Sequence, residues 1–225
     1  MPDRLSEESA NLSKPVSTEG RTAATIALAM FLGFAAIVVL LHFLRPDLHP
    51  FGEFISDYAV GEYGFLMTTA FLAFAVGIAA LTVSLYQGLP LMPRSWASLV
   101  LLSASSVLVT LAGIFPTDLG GEIATTSGEI HNLASLLFFL LLMIAMLVLS
   151  IRLRRAGMLE GRQMALLWLS IAAPILLVAT FGPLDRAGLV GLGQRLYVLT
   201  LISWLAIMAN EVRSQAFGRV KETQQ

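Results

Sequence analysis

Cysteine is absent from this sequence of 225 residues, and charged side chains are scarce. Without cysteine the chain forms no disulfide, no thiolate zinc site and no iron–sulfur cluster. Charged residues make up 13% of the chain and hydrophobic residues 56%, whereas a water-soluble domain carries about 25% charged residues. The formal net charge of −1 gives no reason to expect nucleic acid as a partner. This composition is typical of a protein whose main solvent is lipid.

The apolar residues are concentrated in six segments. A helix needs roughly 20 apolar residues to cross the ~30 Å hydrocarbon layer of a membrane, and each segment is long enough. The sequence therefore predicts an all-α, polytopic bundle of six transmembrane helices in one domain, 22–210, in contact with membrane lipids. A disordered cytoplasmic tail, 1–21, is expected before it and a second cytoplasmic tail, 211–225, after it. The predicted spans are approximately 22–44, 63–86, 95–115, 130–151, 163–182 and 192–210.

Lysine and arginine are distributed unevenly over the segments that connect these spans. Eleven of the fourteen fall in the two tails, the 87–94 turn and the 152–162 loop. The opposite side carries three arginines and eight acidic residues. Because cytoplasmic loops are enriched in lysine and arginine, we expect both termini in the cytoplasm, three acidic loops outside, and a location in the plasma (inner) membrane.

Ionisable residues are absent from the central part of every predicted span. Ion pathways and proton relays usually place such a group there, so proton-coupled transport and voltage sensing are disfavoured. No lysine lies within a predicted span, which excludes a retinal Schiff base. Small residues such as Gly77 and Ala80 in span two are instead typical of close helix packing.

Chemically active side chains are concentrated on the acidic side of the predicted bundle. All three histidines, His42, His49 and His131, fall there, and Asp118 lies shortly before His131. A histidine beside a carboxylate is suited both to general-base catalysis and to ligand binding. We therefore predict that His131 and Asp118 wall a polar, acidic pocket that opens outward between spans one, two, four and six. The residues expected to bind a ligand in it are Ser56, Asp57, Asn132, Gln194 and Arg195.

The start of span four follows a run of small polar residues. Ser, Thr, Asp and Asn are favoured at helix N-caps because their side chains accept hydrogen bonds from unpaired backbone N–H groups. Thr126 or Ser127 is therefore predicted to cap this helix. His131 and Ser135 then fall on one face of it, one turn apart.

Four short motifs on the acidic side occur in order among the six spans: FISDYAVG, GIFPTD, IHNLAS and GLGQRL. Together they resemble the uncharacterised membrane family known as domain of unknown function 998, over about residues 22–210. The resemblance implies a six-helix integral membrane protein, and it implies no reaction. The residues on the matching motif positions are Ser56, Asp57, Pro116, Asp118, His131, Asn132, Gln194 and Arg195.

Three functions are compatible with these residues: ligand binding, chemistry on a lipid, and haem binding. Whether the chain is an enzyme is left open. The first is binding of a lipid head group or small ligand in the pocket. The second is a membrane-embedded hydrolase or transferase acting on a lipid at the outer leaflet. In it His131 would be the general base, Asp118 would orient it and Arg195 would hold a phosphate.

Two cofactors belong to these functional alternatives. A zinc-dependent hydrolase would hold the metal through His42, His131 and Asp118, or Asp57 in place of Asp118, and the metal would activate a bound water. A b-type haem protein would use His42 and His131 as axial ligands. Haem is disfavoured, because only one haem could be held in this way and electron transfer across the whole membrane would need another carrier.

Overall fold

A computed structural model of the chain describes residues 16–89, 94–121, 123–159 and 161–214. Within these ranges the protein is all-helical, without strands, and six helices are long and apolar enough to cross a membrane. The predicted six-helix bundle is thereby confirmed. The helices are α1 Thr18–Leu44, α2 Gly64–Gly88, α3 Trp96–Ile114, α4 Thr126–Arg155, α5 Gln163–Ala179 and α6 Val190–Arg213.

The first and last helices extend beyond their predicted ends. Helix α1 begins at Thr18 rather than at residue 22, because the Ser17 hydroxyl accepts the Gly20 backbone N–H at 3.0 Å and caps the helix. Helix α6 continues through Arg213, past the predicted end at residue 210. Most of the two predicted tails lies outside the described residues.

The six helices form a ring in which each packs against the next in the chain and α6 returns to α1. The contact between α1 and α2 is the most extensive, and it depends on a small residue. A Cβ atom at Gly77 of α2 would lie 2.6 Å from the ring of Phe31 on α1. Membrane helices associate through such close approaches, since burial of apolar surface gives little driving force between helices in lipid.

Buried polar side chains join α4, α5 and α6 in the half of the bundle where α1 begins and α6 ends, here called the basic half. Trp204 Nε1 donates to Ser150 Oγ at 2.9 Å, and the hydroxyls of Ser150 and Ser170 lie 2.9 Å apart. Arg162, in the loop before α5, forms an ion pair with Glu211 of α6. Because hydrocarbon offers no other partners to these groups, the three helices are held together here.

The loops of the opposite half, here called the acidic face, are 45–63, 115–125 and 185–189. The first loop contains a short 3-10 helix, Ile55–Ala59. Helix α5 reaches this face through a π-helical turn, Thr180–Leu184, a distortion that is frequent at functional sites. The acidic face therefore carries the irregular backbone of the bundle.

We predict that Gly77→Ala destabilises the protein by about 1–3 kcal/mol, because the added methyl group overpacks the contact with Phe31. Gly33→Ala on α1 is the matched control: a Cβ atom there has no atom within 4 Å, and alanine has the higher helix propensity. Thermal unfolding in mild detergent measures both. Equal shifts of the unfolding midpoint would contradict close packing at Gly77.

Candidate functional site

A cavity of about 340 Å³ lies between the helices near the acidic face. Its volume falls within the range of about 300–1,000 Å³ that is typical of small-molecule sites. It follows α4 from His131 to Phe138 and α6 from Gln194 to Leu201, two helical turns or about 10 Å in each case. All six helices contribute lining residues, whereas the sequence predicts walls from spans one, two, four and six alone.

The wall of the cavity is dominated by phenylalanine. The Phe74 ring lies 5.9 Å from the Phe138 ring, edge to face, and 4.8 Å from the Phe34 ring. Seven of the chain's thirteen phenylalanines line this one space, so most of its surface is apolar. They are Phe34, Phe54, Phe71, Phe74, Phe138, Phe139 and Phe181.

His131 is an almost fully buried polar residue in this lining, with 3% of its surface exposed. Its Nδ1 atom lies 2.8 Å from the Ala112 carbonyl oxygen and 3.0 Å from the Phe115 carbonyl oxygen. Carbonyls only accept, so we assign the proton to Nδ1 from these partners. In the neutral ring Nε2 is then a hydrogen-bond acceptor, and it has no partner among the described residues.

Five other polar side chains line the cavity: Ser56, Thr117, Asn132, Ser135 and Gln194. The Thr117 hydroxyl donates to the Asp118 carbonyl at 3.1 Å. Gln194 Oε1 accepts the Ile55 backbone N–H at 2.6 Å, which leaves its NH₂ group as a donor. In the described part of the chain, the side chains of Ser56, Asn132 and Ser135 make no hydrogen bond. Unpaired polar groups in apolar surroundings are costly, so these groups favour a hydrogen-bonding ligand.

Arg195 lies one residue beyond Gln194 but does not line the cavity. Its Nε donates to His42 Nε2 at 2.9 Å, and its NH1 group donates to the carbonyls of Glu53 and Gly191 at 2.8 and 3.0 Å. Its NH2 group lies 3.4 Å from the Tyr58 hydroxyl. These contacts occupy four of the five N–H donors of the guanidinium. Arg195 therefore fastens the first loop and α1 to α6.

Asp118 is likewise held by its own loop. Its Oδ2 accepts the backbone N–H groups of Ala124 and Thr125, each at 2.9 Å, and its Oδ1 accepts the Thr125 hydroxyl at 2.9 Å. These hydrogen bonds from backbone N–H groups hold the pKa of Asp118 below its ordinary value. The structure does not join Asp118 to His131, whose Nδ1 is engaged by backbone carbonyls.

The N-cap of α4 is Thr125, and the prediction of Thr126 or Ser127 is wrong by one or two residues. The Thr125 hydroxyl accepts the Gly128 N–H at 3.1 Å while donating to Asp118. A Cβ atom at Gly128 would overlap Asp118 Oδ2. The loop before α4 is thus closed by a carboxylate, a hydroxyl and a glycine that fit together.

The residues at this face fall within a stretch of the chain that matches a known family model. A family model described as "Protein of unknown function (DUF998)" matches residues 27–210. The chain belongs to the DUF998 family. Comparisons with curated proteins and with solved structures gave no match. Family membership together with six membrane-crossing helices makes this DUF998 protein a multi-pass membrane protein and assigns it no activity.

The zinc site considered from the sequence requires His42, His131 and Asp118 to converge, and the donor atoms do not fit this requirement. His42 Nδ1 donates to the Val38 carbonyl at 2.6 Å, and His42 Nε2 accepts from Arg195. Both of its ring nitrogens are therefore engaged, which also removes the haem ligand. No group of three or more His, Cys, Asp or Glu side chains in the described ranges is placed to hold a metal ion.

Asp57 is fully buried in the 3-10 helix of the first loop, beside the cavity but not in its lining. Its Oδ2 accepts the Phe54 backbone N–H at 2.9 Å, while Oδ1 has no described partner. Burial raises the pKa of Asp57 to about 6, and the nearby Glu53 carboxylate contributes in the same direction. Four of the predicted site residues line the cavity: Ser56, His131, Asn132 and Gln194. Four others lie outside its lining: His42, Asp57, Asp118 and Arg195.

Sequence reasoning missed the aromatic wall of this DUF998 protein, because phenylalanine within an apolar span gives no signal of its own. Phe71 and Phe74 are three residues apart and therefore share one helix face. An apolar face of this kind is equally expected where a membrane helix contacts lipid. The position of Phe181 in the cavity wall could not be predicted, because the π-helical turn changes the direction of its side chain relative to a regular helix.

We predict that Asp57→Asn stabilises the protein above pH 6, by up to about 3 kcal/mol for a shift of two pKa units. The pKa of Asp57 in the folded protein, about 6, exceeds the ordinary aspartate value of 3.8. The folded protein therefore holds an extra proton between these values, and the free energy of unfolding falls as pH rises through this window. Unfolding midpoints in detergent from pH 4.5 to 8 measure the effect.

Asp47→Asn is the matched control for this substitution. Arg45 lowers the pKa of Asp47 through a hydrogen-bonded ion pair at 2.7 Å, so removal of that charge is expected to destabilise the protein at pH 7. If Asp57→Asn and the wild type have the same unfolding midpoint at pH 8 and the same dependence on pH, the raised pKa of the buried Asp57 carboxyl is contradicted.

Proposed function

We propose that this protein binds an amphiphilic membrane lipid in the cavity, with the lipid's polar group at the His131 end and its hydrocarbon part among the phenylalanines. The observation that carries this proposal is an apolar cavity of about 340 Å³ with unpaired polar side chains at one end. A lipid has the same division along its length. Ligand sites are generally apolar with a few placed polar groups.

Two lining residues are largely exposed, which supports entry of a lipid from the membrane. Leu136, on α4, and Phe181, in the π-helical turn, are 51% and 58% exposed. In a membrane these two side chains contact hydrocarbon. A lipid that passes between them keeps its apolar chain out of water throughout.

The polar end of the cavity lies next to the loops of the acidic face. Ser56 belongs to the first loop, and Asn132 and Gln194 lie within the first two turns of their helices. A lipid polar group in contact with these residues remains near the depth of the membrane interface. The Phe138 end lies two helical turns deeper, where only apolar residues are needed.

The catalytic alternative, a hydrolase or transferase acting on a lipid, is supported by His131 alone. Its ring is oriented by the Ala112 and Phe115 carbonyls, and Ser135 follows one turn later on the same helix face. Asp118 and Arg195, the expected orienting and phosphate-binding groups, have other partners. Binding therefore accounts for more of the site than catalysis does.

A cavity-filling substitution tests the proposal. We expect Val198→Phe, on the apolar wall of the cavity, to reduce the lipid that copurifies with the protein at least about fivefold. Overpacking of this size costs about 1–3 kcal/mol, so thermal unfolding is used to confirm that the variant is folded. Lipid bound after extraction in mild detergent is quantified by mass spectrometry relative to the bulk membrane.

Leu199→Phe is the matched control, because Leu199 is the next residue on α6 and is 59% exposed on the outer surface. It is expected to retain the wild-type amount of lipid. A folded Val198→Phe variant that carries the same lipids as Leu199→Phe would contradict binding in the cavity. Cleaved lipid recovered with the wild type but not with His131→Gln would favour the hydrolase instead.

A further inference from the structure

We infer that the lipid polar group accepted by this cavity is uncharged, so that its occupant is a neutral, single-chain amphiphile such as a monoacylglycerol or a long-chain alcohol. The inference rests on the lipid-binding role proposed above and names the class of lipid. It follows from the charged residues near the cavity, none of which is in its described lining, and from the polar residues of that lining, which are serine, threonine, asparagine, glutamine and one histidine.

The arginine nearest to the cavity is not available to an anion. Arg195 has four of its five N–H donors engaged by a ring nitrogen, two backbone carbonyls and a hydroxyl. Arg45, on the same face, is bound to Asp47 and to the carbonyls of Val60 and Glu62. A phosphate or carboxylate in the cavity would therefore meet no guanidinium, although arginine is the residue best suited to such groups.

The acidic residues of this face are not placed to meet a cation in the cavity. Asp118 accepts three hydrogen bonds from its own loop, and Asp57 is buried behind the lining, where one of its oxygens accepts the Phe54 backbone N–H. Neither side chain lines the cavity. A lipid ammonium group would then lie in a low-dielectric space without a counter-charge, which is strongly unfavourable.

The groups that do line the polar end match a hydroxyl or an ester. His131 Nε2 accepts a hydrogen bond in the neutral ring, the Gln194 NH₂ group donates, and Asn132 can do both. The hydroxyls of Ser56 and Ser135 also donate and accept. A glycerol hydroxyl, which donates and accepts, can use all of these groups without any charge being buried.

The length of the cavity limits how much of the lipid it encloses. The space extends for about 10 Å along α4 and α6, from His131 to Phe138 and from Gln194 to Leu201. We place the opening toward the membrane at the exposed lining residues Leu136 and Phe181. One chain can therefore begin in the cavity and continue into the bilayer, whereas a volume of about 340 Å³ leaves little room for a second chain.

Three lipids that share one oleoyl chain test this inference. Monooleoylglycerol is neutral, oleoyl lysophosphatidate is anionic and oleoylcholine is cationic. Each competes with radiolabelled monooleoylglycerol for the full-length protein reconstituted in phosphatidylcholine nanodiscs. We expect monooleoylglycerol to compete at concentrations at least about tenfold lower than either charged lipid.

Asn132→Leu and Val198→Phe separate the two levels of the proposal. Leucine has nearly the same shape as asparagine but no hydrogen-bonding group. Asn132→Leu should therefore lower the affinity for monooleoylglycerol about fivefold, the effect of losing one hydrogen bond. Val198→Phe should abolish saturable binding of every lipid in the series. Leu199→Phe should behave as the wild type.

Two results would overturn the inference in distinguishable ways. If a charged lipid competes as well as monooleoylglycerol and Val198→Phe still abolishes binding, the cavity binds lipid but does not select a neutral polar group. If no lipid shows saturable binding, or if Val198→Phe binds as the wild type does, the lipid-binding role itself fails and the choice of lipid fails with it.

Discussion

The hydrogen bonds of Arg195 are the interactions on which the acidic half of the bundle depends. Hydrocarbon offers no hydrogen-bond partners, so irregular backbone at membrane depth must be satisfied by the protein itself. The guanidinium does this for the first loop by donating to the Glu53 carbonyl, while it also bonds His42 of α1. One side chain thus connects α6, α1 and the loop that carries Ser56 to the cavity.

The two halves of the bundle use polar groups in opposite ways. In the basic half, Ser150, Ser170 and Trp204 bond to one another between α4, α5 and α6, and no polar atom of this group is left for a ligand. Near the acidic face, α4 and α6 are separated by the cavity, and Asn132 and Ser135 bond to no described residue. The polar groups between these helices are therefore paired with one another in the basic half and available to a ligand near the acidic face.

The membrane spans could be predicted from the sequence because hydropathy over about 20 residues is a local property. The arrival of Ser56, His131, Asn132 and Gln194 at one cavity could also be predicted, since all four lie at the same ends of their segments. Their role in ligand binding stays a prediction. The order of the spans along the chain is enough to predict that these four residues lie at a similar depth in the membrane.

The partners of individual charged residues could not be predicted in this way. Asp118 was expected to orient His131, yet backbone N–H groups six and seven residues further along the chain occupy its oxygens. Arg195 was expected to bind a ligand, and its acceptors include two backbone carbonyls. Backbone donors and acceptors are present at every residue, so residue types alone do not reveal where they compete with side-chain pairs.

Helix ends depend on the same local competition. The N-cap of α4 is Thr125 rather than Thr126 or Ser127, because the Asp118 carboxylate fixes the position of Thr125 before the helix begins. A run of several possible capping residues does not reveal which of them such a loop contact selects.

The proposed function requires that the phenylalanine-lined cavity holds a lipid. An experimental structure of the protein, extracted from its own membrane directly into nanodiscs without detergent, tests this most directly. We expect elongated density in the cavity, with its polar end near His131 and Asn132 and its other end near Phe138. A cavity closed by its own side chains, or density found only on the outer surface of the bundle, would contradict it.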